Sequence, residues 1–444
     1  VCLLNNLIKE TLSFNNSVDN CINVNEDKYF RSSQYSIIFL STVSGNLIIE
    51  EYTIIKAKDG DTVFVSGEIR IKNGAFFECN LKTEKLISES GDIEISGYLH
   101  VNDSIVIKRG NLKVNGSLTT NIIDVNGSLT VKKNFSAFSV NINGSLNVDG
   151  DMKVIEANIN GKITILGSTE AKIIITHDSV EFLGNVNIGT VNAEKNVKIR
   201  DGIIKELAIK GNLEVINKLI FDKLDVNQIA ILGSATGGII NIGNKLIVNN
   251  NLTFDSMDIK GACIINGDCE GGNINISDSF NVKGNLKISG MLNVNGHVEV
   301  NGKIISNFIN VNNGIKAESV IANEKINASG VIIVKKIMKA SVIKLNKLCK
   351  IIGLIIGDEV IIGEKCELQD IYGGYVELGR ESKARNIYAR DIRLEEKCII
   401  TGDMFFTNNL VIESNVKILG KYNKVNELPK FTTENLPFKT EIDQ

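Results

Sequence analysis

Histidine and cysteine are the residue types in this sequence whose side chains could act in acid–base, nucleophilic or metal chemistry. The three histidines, His100, His177 and His297, are far apart among 444 residues, and each is interpreted as a surface or corner residue. The eight cysteines include no C-x-x-C pair, which argues against a zinc cluster and against a disulfide framework. We therefore predict no catalytic, cofactor-binding or metal-binding residue, and a protein that is not an enzyme.

Two other patterns were candidates for chemistry. The acidic pairs Glu50-Glu51 and Glu395-Glu396 could supply carboxylates for polysaccharide cleavage, but such enzymes group their carboxylates in a groove built by long loops. The sequence has no long insertions between its regular segments, so these pairs are interpreted as solvated. The glycine-rich string from Gly233 to Gly238 lacks the lysine of a phosphate-binding loop and is interpreted as a corner.

Glycine recurs at a fixed interval and marks the elements that would have to position any site. Gly110, Gly127, Gly144 and Gly161 are each 17 residues apart, and each opens a phrase of the form Gly-x-[Leu/Ile]-x-[Val/Ile]. Apolar and polar residues alternate within the phrase, and a period of two predicts a strand. Identical phrases in phase favour a chain that winds in coils, one circuit per repeat, over a meander of hairpins.

Two further windows predict the shape of one coil. Gly284, Gly290, Gly296 and Gly302 mark three six-residue steps, which indicates three faces per coil. The segments 371–378 and 387–394 match at an interval of 16 residues. The sequence therefore predicts an all-β fold, a single-stranded parallel β-helix (solenoid) with about 16–18 residues per coil. About 21 coils between residues 45 and 420 would form a rod on the order of 100 Å long.

Corners between the strands are assigned to the Asn-Gly pairs that begin at Asn126, Asn143 and Asn160. Both residue types tolerate the positive φ that a tight bend demands. Proline, which cannot donate an N–H to the neighbouring coil, is absent before Pro429. The missing prolines therefore agree with a ladder of backbone hydrogen bonds that runs through the whole body.

Residues one coil apart are predicted to be neighbours. Cys349 and Cys366 are 17 residues apart, so we expect them in adjacent coils, as small core hydrophobes. A mixed-sign string near the C-terminus should form ion pairs between coils, which keep the surface soluble and discourage side-by-side aggregation. Its members are Arg380, Glu381, Lys383, Arg385, Arg390, Asp391, Arg393, Glu395 and Lys397.

The ends of the chain differ from the body. Residues 1–40 are predicted to be an N-terminal cap or extension, because Leu3, Leu4, Leu7, Ile8 and Leu12 follow helical spacing. Residues 41–420 form the predicted β-helix body. Residues 421–444 contain Pro429 and Pro437 and are predicted to be an extended tail, with folding back onto the rod left open.

The composition and net charge limit which binding partners and which cellular compartment we expect for the protein. A formal charge of −3, from 49 basic and 52 acidic residues, gives no field that would attract nucleic acid. No apolar run approaches the roughly 18 residues that suggest a membrane span, and no leader pattern is visible. Scattered, unpaired cysteines fit a reducing interior, so we expect a cytoplasmic protein.

The phrases between Gly284 and Gly302 resemble those of the bactofilins, the polymer-forming cytoskeletal proteins of prokaryotes. The segments 371–379, 386–398 and 424–429 resemble proteins often grouped with them, and the likeness of the body extends over residues 45 to 420. The resemblance implies a right-handed β-helix that stacks end to end without nucleotide, forming cytoplasmic filaments or scaffolds, sometimes on the membrane. The expected partners are further copies of the chain, other proteins, or a membrane surface.

A second resemblance is confined to one segment. Residues 355–366 look like the hexapeptide repeat of left-handed β-helix acyltransferases, which use a histidine base, but no histidine follows His297. The favoured function is therefore a non-enzymatic structural or scaffold protein. A surface-exposed β-solenoid, such as an adhesin or cell-envelope protein, and an acyltransferase-like enzyme remain the alternatives.

Overall fold

The computed structural model describes residues 22–24, 27–30 and 36–429. All regular secondary structure in that part of the chain is β-strand, and nearly all strand pairs are parallel. Counted over the described residues, the strands make about 23 coils of a β-solenoid. The predicted all-β parallel solenoid is therefore confirmed.

Two compact units divide the chain, Val1–Phe221 and Asp222–Gln444. The strands of the first unit are Ile22–Val24, Asp27–Phe30, Ser36–Leu40, Thr42–Val43, Leu47–Ile49, Thr53–Ala57, Thr62–Ile71, Ala75–Glu78, Asn80–Ser88, Ile93–Ile95, Leu99–Ile107, Leu112–Val114, Leu118–Thr119, Ile122–Val125, Leu129–Val131, Phe135–Ile142, Leu146–Val148, Met152–Ile159, Ile163–Ile165, Thr169–Thr176, Val180–Ala193 and Val197–Ile209. The strand Leu213–Val226 contains the division.

The strands of the second unit follow in chain order. They are Ile229–Ile242, Lys245–Val248, Leu252–Ile259, Ala262–Ile265, Cys269–Ile276, Phe280–Val282, Leu286–Ile288, Met291–Val294, Val298–Val300, Lys303–Val311, Gly314–Ala328, Val331–Lys339, Val342–Leu345, Lys350–Ile351, Leu354–Ile362, Glu367–Leu368, Asp370–Leu378, Lys383–Ala384, Asn386–Leu394, Ile399–Ile400, Met404–Ile412, Lys417–Ile418 and Tyr422–Lys424.

The strand register in the first unit follows the predicted repeat. Leu112 lies opposite Leu129, which lies opposite Leu146, so each coil there takes 17 residues. The strand Phe135–Ile142 pairs with Met152–Ile159 in two runs, separated by a bend at Phe138, so each coil presents three faces. Earlier coils are longer than predicted, since Leu47 lies opposite Ile69, 22 residues on.

The second unit keeps the predicted range of coil lengths. Phe280 lies opposite Val298, an 18-residue step. Ile371 lies opposite Ile387, a 16-residue step. Inward residues are the only ones that the core constrains, so corners can gain or lose a residue without moving the buried columns. These columns consist mainly of Val, Ile and Leu, most of them fully buried, and each such side chain contributes about 1.5–3 kcal/mol.

The corner glycines are required for a reason other than the predicted one. Gly127, Gly144 and Gly161 do not have positive φ; within the 17-residue repeat only Gly110 does, at 131°. Instead, a Cβ on Gly161 would lie 2.6 Å from the carbonyl oxygen of Gly144, one coil earlier. Side chains are excluded there because stacking brings successive corners into backbone contact, so the positive-φ explanation was wrong for these positions.

The side chain of the residue after each corner glycine accepts a hydrogen bond from the backbone of the next coil. The Asn111 side-chain oxygen accepts a hydrogen bond from the Ser128 N–H at 2.8 Å. The Ser128 hydroxyl oxygen in turn accepts from the Ser145 N–H at 3.0 Å. Backbone donors that lie outside the strand ladder are thereby satisfied. This chain of contacts explains why asparagine and serine follow glycine in the repeated phrase.

The two ends are described in part. The helical pattern from Leu3 to Leu12 lies outside the described residues, and the strands Ile22–Val24 and Asp27–Phe30 pair antiparallel, with Ile22 opposite Tyr29. The first residues of the predicted tail join the solenoid, since Tyr422–Lys424 pairs with Met404–Phe406, and residues after Pro429 lie outside the described part. The predicted boundaries at residues 40 and 420 stay predictions.

Candidate functional site

The last coil of the second unit ends the solenoid without a following strand in the described residues. This C-terminal coil consists of Asn409–Ile412, Lys417–Ile418 and Tyr422–Lys424, each paired with the preceding coil. Its outer side therefore presents backbone N–H and C=O groups that no described strand binds. Such an edge can add a strand from another chain.

Burial changes abruptly between the last two coils. Leu394 is fully buried, whereas Ile412, its register partner one coil later, is 42% exposed. Met404 is fully buried as well, and its partner Tyr422 is 54% exposed. The apolar columns of the second unit therefore end, among the described residues, in side chains that no further strand covers, and exposed apolar side chains of this kind can mark an interaction site.

The first coil of the other unit differs in the burial of its inward side chains. Ile38 and Leu40 are each 3% exposed and Val43 is fully buried, whereas the outward Ile37 and Phe39 are 42% and 40% exposed. The strand Ile22–Val24 runs antiparallel to Asp27–Phe30, and Asp27–Phe30 pairs in parallel with Leu47–Ile49. One strand edge of this coil is thus covered by another described strand.

Ion pairs between coils run along the surface near the C-terminal coil, as predicted. Glu381 lies 3.8 Å from both Lys365 and Lys397, its neighbours one coil before and one coil after. Arg393 lies 3.4 Å from Glu413, and that hydrogen bond raises the pKa of the arginine. Two predicted members, Arg390 and Asp391, differ, because they pair with each other on one strand. Each exposed pair contributes roughly 0–1 kcal/mol.

The predicted cysteine neighbours are found in the core of the second unit. Cys349 and Cys366 are each 1% exposed, and the Cys349 N–H donates to Cys366 Sγ at 3.3 Å. The column continues with Ser382, whose hydroxyl accepts from the Cys366 N–H at 3.0 Å. A thiol hydrogen bond to Cys366, together with burial, raises the pKa of Cys349. Both are free thiols, and the interpretation as core hydrophobes is confirmed.

A groove on the outside of the second unit was missed by the sequence reasoning. This aromatic groove is lined along successive coils by Lys339, Ile356, Tyr372 and Tyr388, with Ser341 and Asp358 beside them, and it encloses about 450 Å³. The rings of Tyr372 and Tyr388 stack with 4.6 Å between centroids. Burial raises the pKa of Tyr372 to about 12.

Two small residues lie beside the groove. Gly357 and Gly373 are opposite each other in register, and a Cβ on Gly373 would lie 2.7 Å from Val376 Cγ2 in the core. The 16-residue match between 371–378 and 387–394 contained the signal, because it aligned Tyr372 with Tyr388. What the sequence did not reveal is that Leu428, from the C-terminal segment, also lines the groove.

The other candidate residues stay apart. His177 lies 3.5 Å from Glu194 on the surface of the first unit, in a different coil from His100, and His297 lies in the second unit. Glu50 pairs with Lys72, and Glu396 with Arg380. The string from Gly233 to Gly238 lies within the strand Ile229–Ile242, and its middle residues Ala235 and Thr236 pair with Leu252 and Thr253.

Among the described residues, no three His, Cys, Asp or Glu side chains are close enough to hold a metal ion together. The same part of the chain has no helix of the length and apolarity needed to cross a membrane. No protein-family model, curated protein or solved structure matches the chain.

Proposed function

We propose that this chain is a non-enzymatic scaffold protein of the cytoplasm that associates with further copies of itself through the C-terminal coil. The observation that carries the proposal is the contrast between Leu394, which is fully buried, and Ile412, its 42%-exposed partner one coil later. An apolar column that stops at an open strand edge is most simply completed by another strand. The resemblance to bactofilins supports association at an end.

Two copies meeting at this coil would be related by a two-fold axis. A two-fold contact uses the same patch on both copies, so the edge Asn409–Ile412 would meet an equivalent edge and pair with it antiparallel. The contact would cover Ile412 and Tyr422 and would satisfy the outer backbone groups of Lys417–Ile418. In the first unit the inward side chains Ile38 and Leu40 of the first coil are buried, which favours the C-terminal coil of the second unit as the joint.

The test is the oligomeric state of the full chain in analytical ultracentrifugation. Ile412→Asp places a charge on the proposed joint, and we expect it to convert an associating protein into a monomer. Val331→Asp is the matched control, because Val331 is 59% exposed elsewhere in the same unit, and it should leave association unchanged. A wild-type protein that sediments as a monomer at every concentration would contradict the proposal.

Electron microscopy of the same three proteins distinguishes a single joint from a polymer. Two-fold pairing through the C-terminal coil alone predicts discrete pairs. Filaments would require a second contact surface, and their loss in Ile412→Asp but not in Val331→Asp would still assign the C-terminal coil as one joint.

A further inference from the structure

Two buried thiols of the second unit lie side by side at one corner of the solenoid. Lys350 pairs with Glu367 in register, so the residues that precede them, Cys349 and Cys366, are neighbours in adjacent coils. Their sulfur atoms converge on one backbone oxygen, because Cys349 Sγ lies 3.1 Å and Cys366 Sγ 3.4 Å from the carbonyl oxygen of Asn346. Both thiols are therefore directed toward the same point.

We propose that Cys349 and Cys366 are the site of a reversible disulfide bond, which links two adjacent coils when the protein meets a peroxide. Register neighbours in parallel strands lie about 4.8 Å apart, and a disulfide spans Cα separations of about 4.4 to 6.8 Å. The bond can therefore form by rotation of the two side chains. The proposal does not depend on self-association.

The surroundings of Cys366 favour its thiolate, which is the reactive form of a cysteine. Its Sγ accepts a hydrogen bond from the Cys349 N–H at 3.3 Å. A second hydrogen bond, from the Cys349 thiol, is the main reason why the pKa of Cys366 is lower than its ordinary value, although burial acts in the opposite direction. Cys366 is thus the nucleophile of the pair, and Cys349 is the thiol that completes the bond.

The oxidation takes two steps with hydrogen peroxide as the oxidant. The Cys366 sulfur attacks one peroxide oxygen, the O–O bond breaks, and one water leaves as Cys366 becomes a sulfenic acid. The Cys349 sulfur then attacks the Cys366 sulfur, the S–O bond breaks, and the Cys349 proton leaves with the hydroxide as a second water. The two thiols lose two electrons and two protons, and the peroxide is reduced to two waters.

A corner of the solenoid separates both thiols from solvent. Cys349 and Cys366 are each 1% exposed, but the residues directly before them, Leu348 and Lys365, are exposed. Both have left-handed backbone conformations, with φ of 66° and 57°, which cost free energy in residues that carry a Cβ. Local opening of this corner, while the coils stay folded, therefore gives a small oxidant access to the sulfurs.

Two other buried cysteines provide internal comparisons. Cys398 continues the column of Cys366, but Ser382 lies in the coil between them, and Cys398 Sγ donates to the Gly379 carbonyl at 3.2 Å. Cys79 belongs to the first unit. Burial raises the pKa of both thiols to about 11, so both stay protonated at neutral pH. We therefore expect both to react more slowly than Cys366.

The test is peroxide oxidation of the folded, full-length chain. Hydrogen peroxide is added, the remaining thiols are alkylated at intervals, and the cysteines are located by tryptic peptide mass mapping. We expect an intramolecular cross-link between the peptides of Cys349 and Cys366, which forms about tenfold faster than the Cys398 thiol is lost. Dithiothreitol should restore both thiols.

Two variants are the matched controls. Cys366→Ser should form no such cross-link and should leave the Cys349 thiol reduced. Cys398→Ser removes another buried thiol of the same column and should form the cross-link at the wild-type rate. Because the main result is measured on the wild-type protein, it does not depend on whether either variant folds.

Three results would overturn the proposal. Loss of the Cys349, Cys366 and Cys398 thiols at one common rate would mean that the neighbouring sulfurs give no advantage. Conversion of Cys366 to a sulfinic acid beside a reduced Cys349 would mean that the two sulfurs do not meet. Retention of both thiols until the protein unfolds would mean that the corner does not open.

The same oxidation of Ile412→Asp separates this proposal from self-association. The cross-link lies within one chain, so it should form in Ile412→Asp at the wild-type rate. A cross-link that forms in the wild type and is lost in Ile412→Asp would mean that the disulfide needs a partner copy, which would contradict a site within one chain.

Discussion

Tyr372 stacks on Tyr388, its register partner in the next coil, with 4.6 Å between ring centroids and 23° between ring planes. Coil spacing alone brings two outward aromatic rings to this distance. Tyr388 also contacts the ring of Phe405, at 5.9 Å. The rings shield one another from water, and burial is the main reason why the pKa of Tyr372 rises to about 12.

A pH titration should reveal this shielding. The pKa of Tyr372 is raised from its ordinary value of 10.0, so the folded state holds the phenol proton more tightly than the unfolded state does. Its contribution to stability is therefore complete below about pH 10 and is lost as the pH rises from 10 to about 12. Tyr372→Phe should remove a late step from the tyrosinate absorbance titration.

A Tyr372→Phe variant that instead loses a step near the ordinary tyrosine pKa of 10.0 would contradict this shielding.

Replacing a corner glycine should test the close approach of neighbouring coils. A Cβ on Gly144 would lie 2.5 Å from the Gly127 carbonyl oxygen, a backbone atom that cannot move away cheaply. We expect Gly144→Ala to lower the free energy of unfolding by about 1–3 kcal/mol, measured as a lower midpoint in thermal circular dichroism. Gly60→Asn is the control, because Gly60 has open space around it and a φ of 69° that asparagine tolerates. Equal losses in both variants would refute close approach as the reason for the glycine.

The inward positions of this fold could be predicted from the sequence, whereas the corners and the exposed positions could be predicted only in part. Strand positions follow from the alternation that places Leu112 and Leu129 in one column, because burial constrains every inward residue. Corner length is unconstrained, so the 22-residue step from Leu47 to Ile69 has no sequence signal. The exposed Ile412 could not be foreseen either, since its pattern matches that of the buried Leu394, and the two differ in that no further coil follows Ile412 among the described residues.

One recurring corner carries side chains where glycine would be less strained. Leu348, Lys365, Glu381, Lys397 and Asn415 all have φ between 57° and 66°. Leu348 is 57% exposed, so its side chain loses little packing on removal. We expect Leu348→Gly to raise the free energy of unfolding by about 0.5–1 kcal/mol, because the left-handed conformation costs a Cβ-bearing residue about that much or more. The measurement is a higher thermal midpoint in circular dichroism.

Val331→Gly is the comparison for this stabilising change. Val331 is equally exposed, but it lies in a strand, where glycine costs conformational entropy. It should lower the midpoint. A fall in the midpoint of Leu348→Gly as well would contradict the strain at this corner.

Ser382 is the polar member of the cysteine column, and the loss of its hydroxyl should destabilise the second unit. It is fully buried, donates its hydroxyl proton to the Gly363 carbonyl at 2.9 Å and accepts from the Cys366 N–H at 3.0 Å. Ser382→Ala leaves both backbone groups without that partner, so we expect a loss of about 1–3 kcal/mol. Ser341→Ala, on an exposed serine, should cost less than about 0.5 kcal/mol. Hydrogen exchange resolves the cause: the Cys366 amide should exchange faster in Ser382→Ala, and unchanged protection there would show that the hydroxyl does not hold this corner.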